Sequence, residues 1–142
     1  MKRRDVLSLL VLGSLIWVAG TILYAYRANV IFETTSSRYW WAFATSPVFS
    51  AILCIVILYR RRIPAAHWAS AMLLLAIPGM LGEAMVLSNF STFMPKLHAA
   101  SGSRYGAFLF ATYALVLALA EIVTLKADRA AQARSSAQMA KS

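Results

Sequence analysis

Four apolar runs, at about 6–32, 39–59, 66–90 and 105–125, occupy most of the 142 residues. Each approaches the roughly 20 residues that carry a helix across a bilayer. Composition agrees with that reading: 61% of the chain is hydrophobic and 13% charged, against roughly half and a quarter in soluble domains. The sequence therefore predicts an all-α, four-helix transmembrane bundle over residues 1–125, followed by a basic cytoplasmic tail at 126–142. The partner this composition requires is the lipid bilayer itself.

The net charge of +9 is not spread over one face, as nucleic-acid binding would need, but falls in clusters between the apolar runs. Lys2, Arg3, Arg4, Arg60, Arg61, Arg62, Lys126, Arg129, Arg134 and Lys141 lie on one side, and Arg27, Arg38, Lys96 and Arg104 on the other. Positive residues accumulate on the cytoplasmic side of inner-membrane proteins. The expectation is an up-down-up-down path with both termini in the cytoplasm and anionic lipid heads as partners there. The start, Met1-Lys2-Arg3-Arg4 before Val6–Leu12, resembles a secretory signal. Its apolar run outlasts a signal's core and closes on no small-residue cleavage site, so retention as a membrane anchor is expected.

Charge inside the spans is the sharpest functional signal, because an ionisable group at membrane depth needs a partner or a proton. Ala76-Ile77-Pro78-Gly79-Met80-Leu81-Gly82-Glu83 sets one carboxylate in the third run. Stepping back at helical spacing places Gly79, Ala76, Met72 and Ala69 on the face of Glu83. In the first run Gly13, Trp17, Gly20, Tyr24 and Arg27 share a stripe, so an Arg27–Glu83 ion pair in the outer half of the bundle is the leading expectation. A pair that only fixes helix register is favoured over a proton- or cation-linked switch. Ala107, Ala111, Ala114 and Ala118 predict the packing face of the fourth helix. Glu121 is the next step on that stripe, a second intramembrane carboxylate expected to snorkel toward Lys126 or Arg62.

No enzyme constellation is legible. Glu83 and Glu121 differ in depth by roughly 15 Å at 1.5 Å of rise per residue, too far to flank one bond. His67 and His98 fall at opposite ends, so no metal or haem site is predicted, and no cofactor. Cys54 is the single cysteine, and no serine or threonine within the spans has a histidine at its depth. Trp17, Tyr24 and Tyr113 could line a ligand cavity, although packing is the commoner use of such rings.

Leu15-Ile16-Trp17 leading to Arg27, Glu83 before Phe90 and Phe93-Met94-Pro95, and Tyr105-Gly106-Ala107 leading to Tyr113-Ala114 resemble a small bacterial family of four-span membrane proteins. The resemblance implies that fold and no particular activity. Two functional expectations follow. The favoured one is a non-enzymatic accessory protein of the inner membrane, joined to another membrane protein or a second copy of itself. The alternative is a small proton- or cation-coupled transporter, or a transporter subunit, using Glu83.

Overall fold

The computed structural model describes residues 3–33 and 36–139, without the side chains of residues 28, 29, 31, 32 and 36. Thr34 and Thr35 of the polar loop, Lys2, and Lys141 of the tail lie outside that description. Among the described residues there are helices and turns and no strand. The long helices are α1 (Arg3–Phe32), α2 (Ser36–Arg60), α3 (Trp68–Ser88) and α5 (Gly102–Met139), with α4 (Phe90–Phe93) a single turn. Short 3₁₀ turns at Ala65–His67 and Ala99–Ser101 lead into α3 and α5. All four long helices contain a stretch long and apolar enough to cross a membrane.

Helix α3 is the centre of the assembly. It packs against both α1 and α5, α2 packs on α5, and the consecutive helices α1 and α2 touch only lightly. The close approach of α1 to α3 depends on Gly13, where an added Cβ would run into the carbonyl of Leu75. Small residues let helix backbones meet in lipid, where no hydrophobic drive pushes them together. The opposite face of α1 carries exposed Leu7, Val11, Leu15, Val18 and Ile22, spaced four, four, three and four. That face suits lipid, whose tails are as apolar as leucine.

The packing face of α5 differs from the sequence expectation. Ala107, Ala114, Ala118 and Glu121 are exposed, whereas Tyr105, Phe108, Leu109, Val116 and Ala120 are buried. The physical reason is volume: Ala71, Ala76 and Gly79 leave room along α3, and Tyr105, Phe108, Leu109 and Val116 of α5 fill more of it than the alanine stripe could. The alanine stripe turns to lipid, where a small side chain carries no penalty. Beyond Leu125 the helix continues through the basic stretch, largely exposed, to Met139.

Two polar devices hold the chain at the end where α3 begins. The Thr124 hydroxyl accepts a hydrogen bond from the Ala69 N–H at 3.0 Å and donates to the Ala65 carbonyl at 3.1 Å. It thereby satisfies one of the backbone donors that a helix start leaves open. Helix α2 ends in a Schellman turn, with Ile63 N–H on the Leu58 carbonyl, Arg62 N–H on the Tyr59 carbonyl, and Arg62 at φ 54°. Fully buried Leu58 and half-buried Ile63 supply the accompanying apolar contact.

Candidate functional site: a buried carboxylate in an aromatic chamber

Glu83 is the one buried charged residue among those described, 7% exposed and enclosed where α1, α3 and α5 meet. Its carboxylate receives the Tyr105 hydroxyl, 3.1 Å from one oxygen and 3.3 Å from the other. Tyr105 is itself fully buried and braced edge-on by Tyr24, with ring centroids 5.9 Å apart. Tyr24 makes a second edge contact with Phe108 at 5.6 Å. Between Glu83 and Tyr105 the chain leaves α3, turns through α4 and re-enters as α5, which brings the two side chains to the same level.

The expected Arg27–Glu83 pair does not form. Arg27 is exposed, and no salt bridge joins the two among the described residues. The α1 stripe holds through Gly13, Trp17, Gly20 and Tyr24, all of which line the chamber, and then parts from Arg27. The step from 24 to 27 equals that from 17 to 20, so backbone periodicity still sets Arg27 near the stripe, and it is the long stem of arginine that carries its head outward at little cost. Glu121 is exposed in a shallow cleft with Ser70 and Leu117 and makes no ion pair among the described residues.

Glu83 opens on a cavity of about 140 Å³. Trp17 and Tyr24 of α1, Ser50 and Cys54 of α2, and Phe108, Thr112 and Tyr113 of α5 contribute to its walls. The glycines of α3 make room for these rings. A Cβ on Gly82 would collide with the Trp17 indole, and one on Gly79 would sit 2.5 Å from the Tyr113 hydroxyl. The buried indole N–H of Trp17 lies beside the Glu83 carboxylate without closing a hydrogen bond of good geometry. A second cavity of about 150 Å³ lies on the outer side of Glu83, between α3 and α5. It shares Glu83, Leu109 and Tyr113 with the first and is bounded by exposed Met80 and Phe110.

Two residues that the sequence reading left without a role become structural here. Gly82 lies off the Glu83 stripe by spacing, and only the position of Trp17 reveals its use. Glu33 accepts hydrogen bonds from the His98 backbone N–H and the Ser101 hydroxyl, with the His98 imidazole 4.0 Å away. It ties the end of α1 to the start of α5, where a carboxylate also suits the positive end of the helix. The His98 N–H, foremost, holds the Glu33 carboxyl below the ordinary glutamate range. A larger recess at the α2–α3 turn is lined by Asp5, Arg61, Arg62 and His67, all exposed side chains.

Four long apolar helices with lipid-suited outer faces, closed on an apolar interior that holds one carboxylate, define a helical membrane protein. The chain belongs to the DUF5367 family, a family of unknown function, whose model matches residues 31–127. That match takes in Glu83, Tyr105 and Tyr113 and leaves most of α1, including Trp17, outside it. No curated protein and no solved structure matches the chain.

Proposed function

We propose that this protein is a small multi-pass transporter, or the ion-handling subunit of one, in which Glu83 takes up and releases a proton or a cation. The reading is carried by one observation: a buried carboxylate without a basic partner borders an interior chamber. A structural ion pair would have favoured an accessory role, and the exposure of Arg27 removes that support. A carboxylate at membrane depth that lacks a fixed countercharge has to be neutralised by something mobile. In this reading the protein performs no covalent chemistry.

The same proposal sets the chain in a bacterial inner membrane, up-down-up-down, with both termini cytoplasmic. The ten-to-four division of lysine and arginine between the two sides supports it. The exposed Arg60, Arg61 and Arg62 and the basic stretch of α5 then face anionic lipid heads. A reporter fused after Ser142 scores cytoplasmic if this holds, and a periplasmic signal overturns the orientation.

The ion-site reading is tested by infrared difference spectroscopy of the protein in lipid vesicles across the pH range. A protonated-carboxyl band that comes and goes with pH and is missing from Glu83→Gln is the expected result. A Glu83 carboxyl whose protonation never changes would overturn the reading.

A further inference from the structure

We infer that the Glu83 chamber is a site for a small monovalent organic cation, an alkyl-substituted ammonium, that reaches Glu83 sideways from the bilayer between α3 and α5. The inference rests on the proposal that Glu83 is an ion site and adds the chemistry and the route of its ligand.

The walls choose among cations. A divalent metal ion takes six or more oxygen ligands, or keeps several waters. This chamber offers one carboxylate, a few hydroxyls and otherwise hydrocarbon and rings. Such walls cannot replace a hydration shell, but they suit a cation whose charge is wrapped in methyl or methylene groups. Trp17, Tyr24, Phe108 and Tyr113 bring aromatic rings to the same space as the carboxylate. Ring faces attract ammonium groups, most strongly where water is excluded.

Size sets a further limit. An apolar cavity of about 150 Å³ admits a molecule as large as benzene. The chamber, at about 140 Å³, thus accepts a headgroup of tetramethylammonium size and excludes bulky polycyclic cations in its present shape.

Charge balance points the same way. The titratable groups around Glu83 and its chamber are Tyr24 of α1, Cys54 of α2, and Tyr105 and Tyr113 of α5, and among the described residues no lysine, arginine or histidine lines the chamber. A carboxylate among such neighbours is neutral only when it holds a proton or when a cation lies beside it. Arrival of an organic cation therefore releases the proton from Glu83, and departure restores it.

The route follows from the second cavity. Glu83, Leu109 and Tyr113 form the partition between the chamber and the cleft at the α3–α5 seam. Met80 and Phe110, 40% and 73% exposed, flank that cleft on the lipid side. An amphiphilic amine dissolved in the bilayer meets Glu83 there without crossing water, and an alkyl tail can remain in the cleft while the headgroup occupies the chamber.

The experiment adds tetramethylammonium to the vesicle-embedded protein at a pH where the Glu83 carboxyl band is present, with Glu83→Gln as control. Loss of the band and release of about one proton per protein are expected, with the half-point raised about tenfold in Tyr113→Leu and little in Tyr113→Phe. Sodium at the same concentration should leave the band in place. Octyltrimethylammonium should act at lower concentration than tetramethylammonium, with its tail in the lateral cleft. A band that titrates with pH but ignores tetramethylammonium, or responds equally to sodium, overturns the inference while the ion-site proposal stands. Rejection of the octyl compound overturns the lateral route. Absence of a titrating band at any pH overturns both proposals.

Discussion

Tyr105 places its hydroxyl 3.1 Å from Glu83 Oε2, so the last membrane helix holds the one buried carboxylate of the third. The contact also fixes the rotation of α5: with Tyr105 turned toward Glu83, Leu109, Val116 and Ala120 follow on the inner face, and Ala107, Ala114 and Ala118 face out.

Loss of that hydroxyl should weaken the α3–α5 seam. Tyr105→Phe is expected to lower stability by about 1 kcal/mol, the usual scale of an interhelical hydrogen bond in a membrane. Reversible unfolding in mixed micelles measures it. A double-mutant cycle with Glu83→Gln should show coupling between the two positions rather than additivity.

The two glycines of the α1 stripe should behave oppositely. Gly13→Ala pushes a Cβ into the Leu75 carbonyl and is expected to cost about 2 kcal/mol or more, because backbone cannot step aside. Gly20→Ala meets nothing within 4 Å and should be neutral, or stabilising by up to about 1 kcal/mol through helix propensity. Thermal unfolding of both variants in nanodiscs gives the comparison.

Arg27→Ala should leave stability within about 0.5 kcal/mol of the parent, as for other exposed positions without a partner. A loss of several kcal/mol in the same unfolding assay would mean that Arg27 does meet a buried charge.

Acid should loosen the tie between α1 and α5. The folded-state value of Glu33 lies below its ordinary value of about 4.5. Its contribution is therefore fully present above the ordinary range and is lost as pH falls through the lower folded value. Protection factors at the His98 and Ser101 amides, with the intrinsic exchange rate at each pH divided out, should fall in that window. In Glu33→Gln protection should be lower at neutral pH and should no longer change with acid.

Arg62 occupies left-handed backbone at φ 54°, where a side chain costs about 1 kcal/mol relative to glycine. Arg62→Gly should raise thermal stability by about that amount while leaving the Glu83 band unaltered. Differential scanning calorimetry measures the shift.

Much of the architecture was legible before any coordinates. Four helices follow from the length and polarity of the apolar runs, since a chain this apolar has to satisfy its backbone inside each span. The stripe Gly13, Trp17, Gly20 and Tyr24 and the face Met72, Ala76, Gly79 and Glu83 were also legible, because 3.6-residue periodicity sorts side chains without reference to a partner. Which helix meets which was not written in any one run.

The sequence by itself determined that a carboxylate would stand at membrane depth on a small-residue face. Only the tertiary structure decided that its neighbour is Tyr105 and not Arg27, that α5 turns its large residues inward, and that Gly82 seats an indole. The reason is physical. Periodicity is a property of one helix and is fixed locally, whereas pairing depends on the relative rotation and depth of two helices. Those are set by how volumes from distant segments fill a shared interior.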